Sequence, residues 1–242
     1  MSASPETNWL LCALPPEERQ RIALNLELIE ISVRTVITEP NQPAEYVFFP
    51  ESAVLSVVSH LSDGAVEVGT VGSEGMAGLP IFLDAEVEPL QVICQIPGTA
   101  WRMEVGAFRE IVEEPSALRR LLLRYTQAFL IQVAQTAACN GTHSLEERCA
   151  RWLLMTHDRV GDAEFELTHQ FLAFMLGVRR AGVTVAMRAL QKRGVLTYSR
   201  GHVTVLDRKG LEAKSCECYG VVRSHYERLL STPNTDQGNA AD

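Results

Sequence analysis

The residues best suited to binding chemistry lie between positions 167 and 196, in the sequence LTHQFLAFMLGVRRAGVTVAMRALQKRGVL. This segment contains five Arg or Lys residues and no Asp or Glu, although the whole chain carries 30 acidic and 22 basic residues. Arg and Lys side chains neutralise phosphate groups, whereas a carboxylate beside a polyanion is repelled unless a base donates a hydrogen bond to it. The composition therefore predicts one local polyanion-binding face. The net charge of −8 argues against a protein that coats DNA indiscriminately.

A short helix is predicted at the start of this segment. Thr168 is a favourable N-cap, and Leu167 and Leu172 have the spacing of a hydrophobic staple. We expect the helix to end near Leu176, because Gly177 permits a tight turn directly after it.

A second helix is predicted over residues 180–193, with Val183, Met187 and Leu190 on its buried face. Residues 195–206, VLTYSRGHVTVL, then predict two strands around a four-residue loop, SRGH. Two helices joined by a glycine turn and followed by a hairpin form a winged helix-turn-helix, which is a DNA-binding fold. The alternative is a helical hairpin that is basic by chance. The coincidence of the cap, the turn, the basic face and the wing favours DNA binding.

A second candidate for chemistry is Cys216-Glu217-Cys218, with His225 seven residues further on. Thiolates and imidazoles bind zinc, but zinc sites normally use four ligands and a wider spacing between paired cysteines. Packing at a helix end is therefore the preferred interpretation, and no metal or cofactor is predicted. A thiol redox switch is an alternative without support in the sequence. The remaining cysteines, expected to be small buried thiols, are Cys12, Cys94, Cys139 and Cys149.

Short strand patterns dominate the first part of the chain. Apolar and polar residues alternate in residues 28–36 and 90–96, and turn signals such as Pro97-Gly98 separate the runs. Many short strands at this spacing predict a β-sandwich or barrel. A short helix is expected before them, around Pro16 to Leu24.

A long helix is predicted to follow from Pro115 and to end at Asn140-Gly141. Its apolar residues recur every three or four positions and form one narrow stripe. We interpret this stripe as the seam of a parallel dimer, with a helix packed on its own domain as the alternative. The predicted seam residues are Leu118, Leu122, Tyr125, Phe129 and Val133.

Together these features resemble the cyclic-AMP receptor protein/Fnr family of bacterial transcription regulators over nearly the full length of the chain. Besides residues 167–196, the motifs that carry the resemblance are RGHVTVLDR in the wing and VGSEGMAGLPIFL at residues 71–83. The resemblance implies a homodimer that binds a two-fold symmetric DNA site. It also implies an α+β fold with four parts: an N-terminal β-roll (a jelly-roll, cyclic-nucleotide-binding-like domain) in residues 1–114, a dimerisation helix in 115–140, a winged helix-turn-helix in 141–230 and a disordered tail in 231–242.

The resemblance also implies roles for individual residues. Arg180 matches a position where the family places an Arg that binds guanine O6 and N7. Ala181 and Val185 stand where several members have a base-reading Glu and a second Arg, so the preferred DNA sequence should differ. Gly182 is expected to let the helix approach the groove closely. The predicted DNA-binding residues are Thr168, His169, Gln170, Arg179, Arg180, Thr184, Arg188, Arg200 and His202.

The sequence argues against the best-known effectors of this family. Members of the family that bind cyclic nucleotides use a Gly-Glu pair and a later Arg beside Ser or Thr. In this chain Ala77 lies near the expected Glu, and no Arg or Lys occurs between Leu79 and Gln95. Cyclic AMP is therefore a doubtful effector. The N-terminal cysteine cluster of Fnr-like oxygen sensors is also missing, since Cys12 alone precedes Cys94.

The predicted function is a sequence-specific, DNA-binding regulator of transcription. The sequence has no apolar run long enough to span a membrane and no signal-peptide core, so a cytoplasmic protein is expected. RNA polymerase is a further candidate partner. No nucleophile and base with supporting spacing point to an enzyme. The alternatives are a DNA-binding protein without an effector, whose β-roll builds the dimer, and a protein-interaction module with a vestigial ligand pocket.

Overall fold

A computed structural model of the protein describes residues 7–62 and 64–230. It confirms the predicted α+β architecture: a strand-rich N-terminal half is followed by one long helix and by a helical C-terminal half with a small sheet. The tail predicted over residues 231–242 lies outside the described residues.

Two antiparallel sheets build the β-roll of the N-terminal half. Its strands are β1 (Glu27–Ile31), β2 (Val36–Thr38), β3 (Gln42–Pro43), β4 (Tyr46–Pro50), β5 (Val54–Leu61), β6 (Gly64–Val71), β7 (Val87–Glu88), β8 (Gln91–Ile96) and β9 (Gly98–Glu104). One sheet has the order β1-β9-β4, the other has the order β2-β8-β5-β6, and β3 pairs with β7. Alternating side chains such as Leu55, Val92 and Cys94 are buried with Phe48 between the sheets.

The alternation in residues 28–36 does not form one strand. A turn separates β1 from β2, and Arg34 in that turn has a φ of 65°. The predicted helix near Pro16 is confirmed. Four short helices cover the β-roll: α1 (Trp9–Cys12), α2 (Pro16–Ala23), α3 (Leu79–Phe82) and α4 (Val105–Glu113).

The long helix α5 (Ala117–Thr142) connects the two halves. Its N-cap is Ser116, whose side chain accepts a hydrogen bond from the amide of Arg119. The predicted end at Asn140-Gly141 is wrong, because both residues continue the helix and the cap is His143. One extra half-turn of helix thus brings His143 close to Cys139, whose carbonyl accepts a hydrogen bond from the His143 amide.

The predicted dimer seam on α5 lies largely on a face that the protomer itself covers. Leu118, Leu122 and Tyr125 have no exposed surface within a single protomer. They pack in the core that α5 shares with the β-roll and its covering helices, and the Tyr125 hydroxyl donates a hydrogen bond to the Met76 carbonyl (3.1 Å). A side chain already covered by its own chain has no apolar surface left for a partner. Phe129 and Val133 are partly buried.

The C-terminal half surrounds a three-stranded sheet with helices. Its elements are α6 (Leu145–Val160), β10 (Glu164–Glu166), α7 (His169–Met175), α8 (Arg180–Lys192), β11 (Leu196–Ser199), β12 (His202–Val205), α9 (Arg208–Glu212) and α10 (Cys218–Leu230). The sheet order is β10-β12-β11. Within the described residues, none of these or the earlier helices combines the length and the apolar character that a membrane span requires.

The two halves contact each other through α6 and α10. On α6, the indole N–H of Trp152 donates to the carboxylate of Glu67 in β6 (3.0 Å). Helix α10 returns to α5, where Tyr226 is buried beside Tyr125 with 6.3 Å between the ring centroids. The last helix therefore belongs to the core around α5, although the sequence-based boundaries assign it to the DNA-binding domain.

Candidate DNA-binding surface

The first helix of the motif forms as the sequence predicts. The Thr168 hydroxyl accepts a hydrogen bond from the amide of Phe171 (3.1 Å), and both residues of the staple, Leu167 and Leu172, are buried. Helix α7 ends at Met175, and Gly177 forms the turn with a φ of 62°, a backbone conformation that favours glycine.

The second helix, α8, has the predicted buried face. Val183, Met187 and Leu190 are almost completely buried against α6 and α7. Gly182 is a correction: a Cβ at this position would lie 2.8 Å from Cδ2 of Leu145 on α6. The glycine therefore permits close packing of α6 against α8, a role different from the predicted approach to a DNA groove.

The outer face of α8 is basic at its ends and apolar in its middle. Arg180 is the first residue of the helix and Arg188 lies two turns later, and both are exposed. Between them Ala181 and Val185 are also exposed, with Val185 at 69%. Arg179, the N-cap residue, makes no side-chain capping bond and is exposed. These positions form the surface that could enter a DNA groove.

His169 is partly buried, whereas the sequence predicts an exposed residue that binds phosphate. Its Nδ1 lies 3.0 Å from the Thr184 hydroxyl, and its ring stacks on Tyr198 of the wing with 4.2 Å between the centroids. Burial lowers the pKa of His169, and the nearby positive charges of Arg180 and Arg188 lower it further. A neutral imidazole at this position connects α7, α8 and the wing. Tyr198 is a contact that the sequence analysis did not identify.

The wing is a tighter hairpin than predicted. Strand β11 ends at Ser199 and β12 begins at His202, so the loop contains two residues, Arg200 and Gly201, both with positive φ. Such a pair is typical of the type I′ turn that matches the twist of a hairpin. Arg200 is exposed at the tip. The Nδ1 of His202 lies 3.3 Å from the carboxylate of Glu164 on β10, at the surface.

The β-roll contains a pocket beside α5. Its volume is about 300 Å³, and the residues that line it include Val57, Leu79, Phe129 and Leu130. Among the described residues that line the pocket, Glu88 is the one ionisable side chain, and there is no Arg or Lys. Burial raises the pKa of Glu88 to about 7. A cyclic phosphate in this pocket would meet a carboxylate without a compensating cation, which agrees with the doubt about cyclic AMP.

Comparisons with known proteins agree with this architecture. Residues 147–214 match the family model of the Crp-like helix-turn-helix domain. Among solved structures, FixK2 from Bradyrhizobium japonicum is 18% identical, with a TM-score of 0.68 over 79% of this chain and 98% of that chain. A transcriptional regulator of the CRP family from Thermus thermophilus is 18% identical, with a TM-score of 0.66 over 77% of this chain and 96% of that chain.

The c-di-GMP-responsive global regulator CLP from Xanthomonas campestris is also similar in structure. It is 17% identical, with a TM-score of 0.62 over 79% of this chain and 99% of that chain. Among curated proteins, no sequence matches this chain significantly. The matched residues show that the C-terminal half contains a Crp-like helix-turn-helix domain, and the similar solved structures show that the chain has the fold of Crp/Fnr-type transcription regulators.

Proposed function

We propose that the protein acts in the cytoplasm as a homodimer that binds a two-fold symmetric DNA site through α8 and the wing. The observation that carries the proposal is the exposed basic surface of a segment without carboxylates. Arg179, Arg180 and Arg188 are exposed along α8, and the whole of residues 167–196 contains no Asp or Glu. Such a surface accepts the phosphates on either side of a major groove.

The place of each residue on α8 or the wing suggests which part of the DNA it contacts. The N-terminal residues of a recognition helix contact base edges, so Arg180 is assigned to a guanine. Val185, exposed further along α8, presents methyl groups that suit contact with a thymine methyl. Phosphate contacts are assigned to exposed residues at the edges of the surface, and Thr184 and His169 are assigned to holding α8 against α7. The residues assigned to phosphates are Thr168, Gln170, Arg179, Arg188, Arg200 and His202.

The first test is selection of random duplex DNA by the purified protein, followed by affinity measurements on the selected site. Arg180→Ala should weaken binding by about 1–3 kcal/mol per half-site and relax one base position. Arg200→Asn should weaken binding to all sequences alike and reduce the salt dependence; Asn tolerates the positive φ of this position. Arg21→Ala, which removes an exposed charge on α2, is the control. Unchanged affinity and specificity in Arg180→Ala would refute the assignment of α8 to the groove.

The homodimer is supported by a second stripe on α5, one position away from the predicted seam. Its residues are exposed and recur every three or four positions. Leu123 and Leu130, at 52% and 60% exposed, are its large apolar members, and small residues follow them, which suits close contact of two helices. We define the outer face of α5 by this stripe, which consists of Arg120, Leu123, Gln127, Leu130, Ala134, Ala137 and Gly141.

Sedimentation tests this seam. Replacing Leu123 and Leu130 by Ala together should convert dimers into monomers at concentrations where the parent protein is dimeric. Leu24→Ala, at the C-cap of α2 and 87% exposed, should leave the dimer unchanged. A dimer that persists in the double variant would place the interface on another surface.

The pocket beside α5 supports switching by a small apolar molecule. Leu130 lines the pocket and also belongs to the outer face, so an occupant would contact the surface on which the partner helix packs. A change in helix packing would then set the distance between the two α8 helices, which must be about 34–36 Å for one turn of DNA. DNA selection in the absence of any added molecule decides between this mechanism and an effector-independent regulator. A symmetric motif obtained without additions would favour the latter.

A further inference from the structure

Four metal-binding side chains meet where the end of α5 contacts the beginning of α10. They are Cys139, His143, Cys216 and Cys218, and their ligand atoms all lie within 4.8 Å of one another. The sulfur atoms of Cys139 and Cys216 are 3.5 Å apart, and the Cys218 sulfur lies 3.6 Å from Nδ1 of His143. We call these four residues the Cys–His cluster. His225, the expected partner of the cysteines, lies outside it and contacts Arg228 on α10.

Local structure explains why these residues meet. Cys139 and His143 are four residues apart at the end of α5, so they lie on the same side of the helix. Cys216 and Cys218 stand at the beginning of α10, which packs along α5. The three thiols are free and buried, and they form a small cluster of their own. Water therefore has little access to the sulfur atoms.

The distances suit a single tetrahedral ion. Zinc binds thiolate sulfur at about 2.3 Å, which puts two sulfurs on one tetrahedral ion about 3.8 Å apart. The 3.5 Å and 3.6 Å separations in the Cys–His cluster are close to that edge. An iron–sulfur cluster binds its cysteines to several different irons and therefore needs wider spacing. Three thiolates and one imidazole form a ligand set that is common in structural zinc sites.

The surroundings of His143 fit the same role. Its Nδ1 faces the thiols, and its Nε2 lies 3.3 Å from the carboxylate of Glu217. A zinc-bound imidazole commonly donates its other N–H to a carboxylate, which fixes the orientation of the ring. Glu217 stands between Cys216 and Cys218 in the sequence, so one short segment supplies both the ligands and the carboxylate.

A buried arginine provides charge balance. Arg151 on α6 is 6% exposed and donates a hydrogen bond to the Thr136 hydroxyl (3.1 Å). Its guanidinium lies close enough to Cys139 to interact with it electrostatically. Three thiolates around a divalent ion carry one net negative charge, which a neighbouring guanidinium compensates.

We propose that Cys139, His143, Cys216 and Cys218 bind one zinc ion that connects the end of α5 to the beginning of α10. The two ligand pairs enclose the chain from α6 to α9, which includes both helices of the DNA-binding motif and the wing. The ion would thus fix both ends of the DNA-binding domain to the helix that forms the dimer in our proposal. The metal site itself does not depend on the proposed function, because its test measures metal content.

The test is metal analysis of the full-length protein purified under reducing conditions, with zinc and then cobalt as probes. We expect one zinc ion per chain, and cobalt should give the absorption of a tetrahedral thiolate site. Cys139→Ser, Cys216→Ser and His143→Ala should each lower the metal content severely. The controls are Cys94→Ser, a buried thiol elsewhere, and His225→Ala, which should both retain the ion. Glu217→Gln should bind zinc about 10–100-fold more weakly.

Circular dichroism identifies variants that fail to fold, and chelation followed by readdition of zinc to the parent protein provides a second measurement that needs no variant. Three results would overturn the proposal. The first is a reduced, folded protein that takes up no zinc. The second is a disulfide between Cys139 and Cys216 that persists although reductant is present throughout purification. The third is iron with acid-labile sulfide, which would indicate a cluster in place of a single ion.

Discussion

Helix α5 has two apolar faces, and they differ in what covers them. On the inner face Leu118, Leu122 and Tyr125 are completely buried by the same chain. On the outer face Leu123 and Leu130 are more than half exposed. Leu122 and Leu123 are adjacent leucines, so their difference in exposure comes from their positions on the helix and not from the residue type. Burial on the inner face stabilises the protomer, whereas the outer face gains apolar burial when a second chain covers it.

The largest effect is expected where the inner face continues into a buried ion pair. Arg159 of α6 lies 2.6 Å from the carboxylate of Glu74, and its guanidinium also contacts Gln132 on α5 (3.3 Å). The side chains of the pair are 9% and 8% exposed. Arg159→Met should lower the free energy of unfolding by about 3–5 kcal/mol, because Glu74 would remain buried without its cation. Denaturant titration of the variant measures this loss.

Two variants serve as comparisons for this prediction. Arg159→Met combined with Glu74→Gln should recover part of the loss, because no unpaired charge remains. Arg223→Ala removes an exposed arginine that pairs with Glu227 on α10, and it should change stability by less than about 1 kcal/mol. Equal losses for Arg159→Met and Arg223→Ala would contradict the difference between buried and exposed pairs.

The next-largest effect is expected from truncating one leucine on each face of α5 and comparing the loss of stability. Leu122→Ala should lower the free energy of unfolding by about 2–5 kcal/mol, because it leaves a cavity in the core. Leu123→Ala should change the stability of the isolated protomer by less than about 0.5 kcal/mol, since this side chain is exposed there. Unfolding at a concentration where the protein is monomeric measures both. A loss of similar size in the two variants would mean that the faces are not distinct.

The sequence predicts the helices and the turn of the helix-turn-helix well because their determinants are contiguous. Caps, the Gly177 turn and the apolar spacing of α7 and α8 act over a few residues, and the hairpin is equally local. The dimer seam is harder to predict. A repeat of three and four residues identifies an apolar stripe, but it does not say whether the same chain or a partner covers that stripe. Leu122 and Leu123 both fit such a pattern.

The Cys–His cluster is the feature that the sequence predicts least well. Cys139 and Cys216 are 77 positions apart, and their contact depends on the return of α10 to α5. One local signal was available, because Cys139 and His143 have the four-residue spacing of one helix face. The helix end predicted at Asn140-Gly141 removes this signal, because it places His143 beyond the helix. Proximity in sequence favours His225, which is seven residues from Cys218, but the structure places it outside the cluster.

A pH-dependent effect is expected at Glu88, in the pocket beside the outer face. Burial raises its pKa from 4.5 to about 7, so the folded chain retains a proton that the unfolded chain has already released between these values. Stability should therefore fall as pH rises through this range. Glu88→Gln removes the titrating group and should flatten that part of the profile. Denaturant titrations at about pH 5 and about pH 8 measure the change.

Glu104→Gln, at an exposed carboxylate of β9, is the control and should keep the slope of the parent protein. If Glu88→Gln kept that slope as well, another group would be responsible. Glu67, whose pKa is also raised by burial, would then be the first to replace, since it lies under α6 and away from the pocket.

The smallest effect on stability is expected from removing the hydroxyl groups of two buried tyrosines that pack against each other on the inner face. The Tyr125 hydroxyl donates to the Met76 carbonyl, whereas the buried Tyr226 hydroxyl has no hydrogen-bond partner among the residues that the structure describes. Tyr125→Phe should lower the free energy of unfolding by about 1 kcal/mol, because the carbonyl loses its donor. Tyr226→Phe should leave stability unchanged or raise it, because it removes a hydroxyl whose burial is uncompensated. Both variants keep the ring and its packing, so denaturant titration measures the hydroxyl alone. A loss in Tyr226→Phe equal to that in Tyr125→Phe would mean that the Tyr226 hydroxyl has a partner and that the two sites are equivalent.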